Sequence, residues 1–136
     1  MSFRNNKVLT EDSYGDVSYI SLIDLDQDEH KVFDIKGNCF VPFWIKQTPK
    51  KTDRQIKIFA GSLGTNLPFE DIYLLTGYSI KYKNEIVKSV KLPVHLRKRM
   101  KTKPENVYAI CTENGCWIDI AGVPVLSWKL SNIEDL

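Results

Sequence analysis

Apolar residues in this chain come in short runs of alternating character, each closed by glycine, proline, asparagine or aspartate, and that pattern restricts the fold more than any other feature. DVSYISLIDL at 16–25 mixes β-branched, aromatic and apolar residues, DQDE follows, and HKVFDI resumes the pattern, which predicts a β-hairpin. GNCFVPFWIK at 37–46 predicts another strand, with Pro42 at a bulge or an edge because it has no N–H for a ladder. QTPKKTDR at 47–54 is polar and basic and reads as a connection. QIKIFAG at 55–61 alternates cleanly, with Ile56, Ile58 and Ala60 on one face and Lys57 and Phe59 on the other. YSIKYK and EIVKSVKL flank Asn84 as a hairpin, although the second segment also suits a helix up to Pro93. VYAICTENGCWIDIAG at 107–122 holds Asn114-Gly115 between apolar runs, a strong hairpin signal, and GVPVLSWKL adds a last strand.

Two segments read as short helices. LPFEDIYLLTG at 67–77 has Pro68, Glu70 and Asp71 near its start and Gly77 past its end, and Phe69, Ile72, Tyr73 and Leu75 recur at spacings of three and four. Pro93 suits a first helical turn and Pro104 stops continuation, so LRKRMKTKP at 96–104 fits between them, with Leu92, Leu96 and Met100 on one stripe. The expected fold class is α+β: mainly antiparallel β built from hairpins, or a partly open small barrel, with two short helices. At 136 residues the chain has the size of a single domain, 1–136, and the acidic stretch 131–136 reads as a tail.

Charge is distributed unevenly. The net charge of +2 conceals three blocks: 1–34 has 3 basic and 8 acidic groups, 35–103 has 15 and 4, and 104–136 has 1 and 5. The middle of the chain therefore supplies any basic surface, through Lys46, Lys50, Lys51, Arg54, Lys57, Lys81, Lys83, Lys88, Lys91, Arg97, Lys98, Arg99, Lys101 and Lys103. Such a block can neutralise several phosphates, and Phe43, Trp44, Tyr78 and Tyr82 are candidates to stack on exposed bases. The competing reading is a set of strands with one wet face and aromatics in the core. Fifteen of the nineteen cations are lysine, which acts as a point charge and favours backbone contacts over base reading. Lysine, isoleucine and asparagine are also what an AT-rich genome favours through codon bias, a compositional hint of phage or mobile-element origin.

Other motifs are fragments. DLDQDEH at 24–30 has the carboxylate spacing that opens a calcium loop, but Glu29 replaces the required glycine and Ile35 the final glutamate, so an acidic turn is the reading. A magnesium pair drawn from Asp24, Asp26 or Asp28 has no supporting lysine or glutamate motif. CTENGC at 111–116 shows half of a zinc site, with Cys39, His30 and His95 as candidate further ligands, and its Asn-Gly pair is explained by a turn. Neither histidine lies near a cysteine in sequence to activate it. GSLGTN at 61–66 lacks the lysine and hydroxyl residue of a phosphate loop.

The longest uncharged apolar stretch, CFVPFWI at 39–45, is far too short to cross a bilayer, and MSFRNNKVLTED lacks the apolar segment of a signal peptide. Three cysteines argue against a disulfide framework. The sequence thus predicts a small intracellular, cytoplasmic, non-enzymatic accessory protein without cofactor or metal, whose partner is DNA or RNA. The alternative is an inhibitor or adaptor of phage or mobile-element type that docks on an acidic host protein, such as a nucleic-acid enzyme.

Overall fold

The computed structural model describes residues 6–75 and 77–131, and for 47–54 and 101–107 it describes the strand path alone. Alternation of β-branched and aromatic residues is realised as β1 (Lys7–Asp12), β2 (Val17–Ser21), β3 (His30–Asp34), β4 (Cys39–Val41), β5 (Trp44–Ile58) and β6 (Ile72–Leu75). The chain continues through β7 (Ser79–Tyr82), β8 (Glu85–Lys88), β9 (Arg97–Thr112), β10 (Trp117–Ile120), β11 (Val123–Leu126) and β12 (Trp128–Lys129). One sheet has eight strands in the order β2-β1-β3-β10-β11-β7-β8, with β4 also on β3 and a further β1–β10 pairing; the other has four in the order β12-β9-β5-β6. Val8, Val32, Ile80, Ile118, Ile120, Val123 and Val125 of the first sheet join Ile56, Ile58, Ile72, Leu74 and Ile110 of the second in one buried cluster. Each such side chain contributes roughly 1.5–3 kcal/mol when withdrawn from water.

The expected helices are not there. Among the described residues the helical elements are three single 3-10 turns, at Leu22–Asp24, Ser89–Lys91 and Val94–Leu96, besides 3-10 geometry at Leu130 and Ser131, so the fold is mostly antiparallel β rather than α+β. In 72–75 the spacing of three and four is overridden by a period of two: Ile72 and Leu74 are buried while Tyr73 and Leu75 are half-buried, and the segment pairs with β5 from Ile58↔Ile72 to Gln55↔Leu75. Asp71 caps nothing helical; its Oδ1 accepts the Ala60 N–H at 2.8 Å. In the second segment only one turn forms, closed by the Leu96 N–H on the Pro93 carbonyl at 2.9 Å, and Arg97 onward is strand. A helix would bring Arg97 and Lys101 to one face at a spacing of four, where like charges repel; an extended chain sends successive cations to opposite faces.

Two predicted hairpins and one predicted strand take other paths. Segments 17–21 and 30–34 do not pair with each other but flank β1 on either side. The strand predicted over 37–46 is cut by Pro42 into β4, in the first sheet, and β5, in the second. Asn114-Gly115 forms a turn, with the Gly115 N–H on the Thr112 carbonyl and φ of +70° at Gly115, but it joins β9 of the second sheet to β10 of the first. The hairpin lies one turn later, at Ala121-Gly122, where φ values of 51° and 92° lead Ile120 back onto Val123. The hairpin around Asn84 is present: Lys83 and Asn84 have φ of 51° and 64°, and Tyr82 pairs with Glu85.

The two sheets are also tied by polar groups. Buried Asn6 offers its side-chain amide like a short strand, donating to the Tyr73 carbonyl at 2.6 Å and accepting the Tyr73 N–H at 3.0 Å. Within the first sheet, Tyr19 on β2 donates its hydroxyl to Asp119 Oδ1 on β10 at 2.9 Å, and the Gly122 N–H donates to the same oxygen at 2.8 Å. No helix among the described residues is long and apolar enough to cross a membrane. The tail at 131–136 lies, beyond Ser131, outside the described residues.

The corner at 112–116 is clasped to Ser127, the single residue between β11 and β12. Ser127 Oγ sits 2.8 Å from Thr112 Oγ1 and accepts the Cys116 N–H at 2.9 Å, and a Cβ on Gly115 would stand 3.1 Å from Lys129 Cγ and 3.4 Å from the Ser127 carbonyl. Gly115→Val is therefore expected to lower the unfolding free energy by on the order of 1 kcal/mol or more, through left-handed backbone strain and this close approach. A chemical denaturation curve measures it, and an unchanged midpoint would contradict the corner geometry.

Candidate functional site

The basic residues meet on a ribbon made by β5 and β9, strands separated by 38 residues of sequence between Ile58 and Arg97. Each strand carries five cations and one carboxylate, Asp53 on β5 and Glu105 on β9, so ten positive charges against two leave the ribbon at +8. Lys46, Lys50, Lys51, Arg54 and Lys57 lie on one strand and Arg97, Lys98, Arg99, Lys101 and Lys103 on the other. The stretch 47–54, expected as a loop, is part of this ladder. Its register sets Arg54 opposite Lys101 and Lys57 opposite Lys98. Like charges directly opposite destabilise a sheet, so folding alone does not favour this arrangement.

Prolines shape the middle of the ribbon. Between Gln47↔Tyr108 and Lys51↔Asn106, four steps along β5 face two along β9, and between Thr52↔Glu105 and Arg54↔Lys101 the excess is reversed. Pro49 lies in the first irregularity and Pro104 in the second, where a residue without an N–H is tolerated because the ladder is already interrupted. Strand β6 pairs only with 55–58 of β5, and β12 only with Cys111 and Thr112 of β9. Between those ends the ribbon is two-stranded among the described residues.

The fourteen candidate cations have different surroundings. Lys98 and Arg99 are exposed. Lys57 is committed: its Nζ lies 3.3 Å from Asp71 Oδ2, 5.7 Å from the Phe59 ring centre and 6.0 Å from that of Tyr73. Arg97 donates Nε–H to the Leu92 carbonyl at 2.8 Å, and Lys46 is half-buried opposite Ala109. The remaining four lie off the ribbon, on or beside the β7–β8 hairpin. There Lys81 stands over Trp117 at 4.8 Å, Lys83 over Tyr82 at 5.3 Å, Lys88 donates to the Gly77 carbonyl at 3.1 Å, and Lys91 is exposed in a 3-10 turn. The structure thus gathers ten of the predicted cations and leaves four apart.

The aromatic candidates divide in the same way. Phe43 is 2% exposed and Tyr78 6%, both within the core, so neither ring is open to a base. Tyr78 instead accepts the Trp128 Nε1–H at 2.7 Å. Trp44 and Tyr82 are half-buried, and Trp44 pairs with Cys111 at the start of the ribbon.

The other fragments resolve into local structure. Asp26 Oδ1 accepts the Asp28 N–H at 2.9 Å, and the Asp26 carbonyl accepts from Glu29 and His30, a self-bonded acidic turn. Cys111 is buried, Cys116 is half-buried and Cys39 is exposed; burial pushes the thiols of Cys111 and Cys116 up, which keeps them protonated. No group of three or more histidine, cysteine or carboxylate side chains among the described residues is arranged to hold a metal ion. Around 61–67 the Gly61, Leu63 and Leu67 N–H groups are taken by the carbonyls of Pro68, Leu67 and Gly64. They form no phosphate cradle. No family model matches the chain, and neither a characterised protein nor a solved structure shows significant similarity to it.

Sequence reasoning missed what each cation touches. It also missed that β5 and β9 would pair, for which the only signal was two basic segments that both contain a proline. The Ala60 N–H, and with it the Lys57 ammonium, holds the Asp71 carboxyl below the usual range against an opposing effect of burial. Asp71→Asn keeps an acceptor for Ala60 but removes the charge that anchors Lys57. Because the carboxyl is held down in the folded state, the stabilisation is complete above the ordinary carboxylate range and disappears as pH falls through the lowered value. Melting temperatures of the two proteins should accordingly differ at neutral pH and converge in strong acid; a difference independent of pH would show that charge is not involved.

Proposed function

We propose that this chain is a small non-enzymatic accessory protein that acts inside a cell and binds nucleic acid through phosphate contacts along the β5–β9 ribbon. The observation that carries the reading is the pairing of two distant basic segments with like charges opposed, Lys57 to Lys98 and Arg54 to Lys101. A ladder chosen for stability alone would alternate signs. A polyanion laid along the ribbon turns that repulsion into attraction, and release of its condensed counterions drives association.

The shape supports the same reading. A two-stranded ribbon is one of the elements that the major groove of a duplex admits, and the section between the β6 and β12 pairings has that width. Lysine outnumbers arginine in the chain, which favours register-setting backbone contacts over base reading. Exposed Arg99 is the residue best suited to a forked contact, while Arg97 is occupied at Leu92.

Changing Lys98, Arg99 and Lys101 together to glutamine tests the proposal without disturbing the anchors of Lys57 and Arg97. Affinity for duplex DNA or RNA should fall for every sequence. The plot of log affinity against log salt should flatten by up to about 0.9 unit for each phosphate that the variant no longer neutralises on duplex, or about 0.7 on a single strand. Without nucleic acid the variant should be as stable as the wild type within about 0.5 kcal/mol, or slightly more stable, since the repulsion of Lys57 by Lys98 is relieved. Wild-type protein with no affinity at low salt would refute the reading. Nuclease-resistant capture of one acidic protein, abolished by the same change, would transfer the ribbon to protein docking.

A further inference from the structure

At the Trp44 end of the ribbon, β12 pairs in parallel with β9 through Trp128↔Cys111 and Lys129↔Thr112, and a cavity of about 280 Å³ opens beside it. Trp128 forms part of its wall. The indole is held in place because its Nε1–H is bonded to the Tyr78 hydroxyl at 2.7 Å and the two rings meet edge to face, 6.2 Å apart at 80°. Leu126, 36% exposed, adds an apolar surface that the fold leaves open to water.

The charged groups that line this cavity have one sign. Among the described residues Lys88 and Lys129 line it and no carboxylate does. The Lys88 ammonium is steered by its bond to the Gly77 carbonyl, and Lys129 runs over Gly115, whose missing Cβ makes room for its stem. Asn114, Ser79 and Ser127 add neutral polar groups to the lining, beside Tyr78. Small-molecule sites combine an apolar or aromatic wall with a few placed polar groups and have volumes of roughly 300–1,000 Å³. At about 280 Å³ this one admits a ring and its charged substituent, but not a long chain.

We infer that this cavity binds a planar aromatic anion of the nucleoside monophosphate class, with the ring against Trp128 and the phosphate between Lys88 and Lys129. An indole wall favours a flat π-surface, and two ammonium groups without a carboxylate favour phosphate. The inference stands apart from the ribbon reading, because none of its residues belongs to β5 or β9. A free mononucleotide and the terminal nucleotide of a strand present the same chemistry.

The test follows the Trp128 indole N–H resonance during titration with 5′-AMP, adenosine and inorganic phosphate. AMP should give a saturable shift at millimolar concentration, and adenosine and phosphate should each bind at least about tenfold more weakly. Lys88→Gln with Lys129→Gln should weaken AMP by about tenfold or more while the melting temperature is kept, since both side chains are exposed. The ribbon change at Lys98, Arg99 and Lys101 should leave AMP binding as it was, so that failure at one site is distinguishable from failure at the other. Tighter binding of a 5′-phosphorylated dinucleotide than of AMP would assign the cavity to strand ends, and equal binding to free nucleotide. No saturable shift, phosphate binding as tightly as AMP, or indifference to the two lysine changes would overturn the inference.

Discussion

The pairing of β5 with β9 is the constraint on which the rest of the structure depends. These strands form the centre of the smaller sheet; β6 is held on one of them and β12 on the other. Their ends supply Ile56, Ile58 and Ile110 to the common core, so the ribbon is fastened at both extremities while its middle carries cations. Long-range pairing of this kind requires closing a large loop before any contact forms, and burial of those ends provides the compensating free energy.

Passage between the two sheets is handled by short polar devices. Pro42 ends β4 and lets β5 leave the first sheet, and the corner at 112–116, held by Ser127, returns β9 to it as β10. Asn6 couples the start of β1 to the β6 edge with a bond in each direction, which satisfies backbone groups that a sheet edge would otherwise leave open. Each device uses a residue whose side chain or missing N–H substitutes for a ladder bond.

Charge and shape follow from the same layout. Four of the eight acidic residues of the first block, Glu11, Asp12, Asp28 and Glu29, line a separate open cavity with Lys31 and with Tyr14, which is 90% exposed. None of that lining belongs to β5 or β9, so these acidic side chains and the basic ribbon occupy different elements of the fold. Within the basic block the cations are unequal, since Lys57 and Arg97 support the fold whereas Lys98 and Arg99 face water.

Strand content was legible in the sequence, as were the buried face of Ile56 and Ile58, the hairpin at Asn84, the positive φ of Gly115 and the existence of a basic block. All of these depend on neighbours within a few residues: a period of two, a turn that needs a left-handed residue, a run of lysines. The helix at 67–77 was misread because the spacing of Ile72, Tyr73 and Leu75 occurs in a strand too when its second face is half-buried, and the one at 96–104 because Pro93 opens only a single 3-10 turn before Arg97 begins a strand. Which strands pair, that Asn114-Gly115 turns a corner between sheets, that Phe43 and Tyr78 are buried and that Trp128 and Lys88 line one cavity were decided by tertiary structure alone. Each requires groups far apart in the chain to compete for the same buried space and the same open ladder edge. A local pattern carries no record of that competition, because its outcome depends on the free energy of the whole packed arrangement.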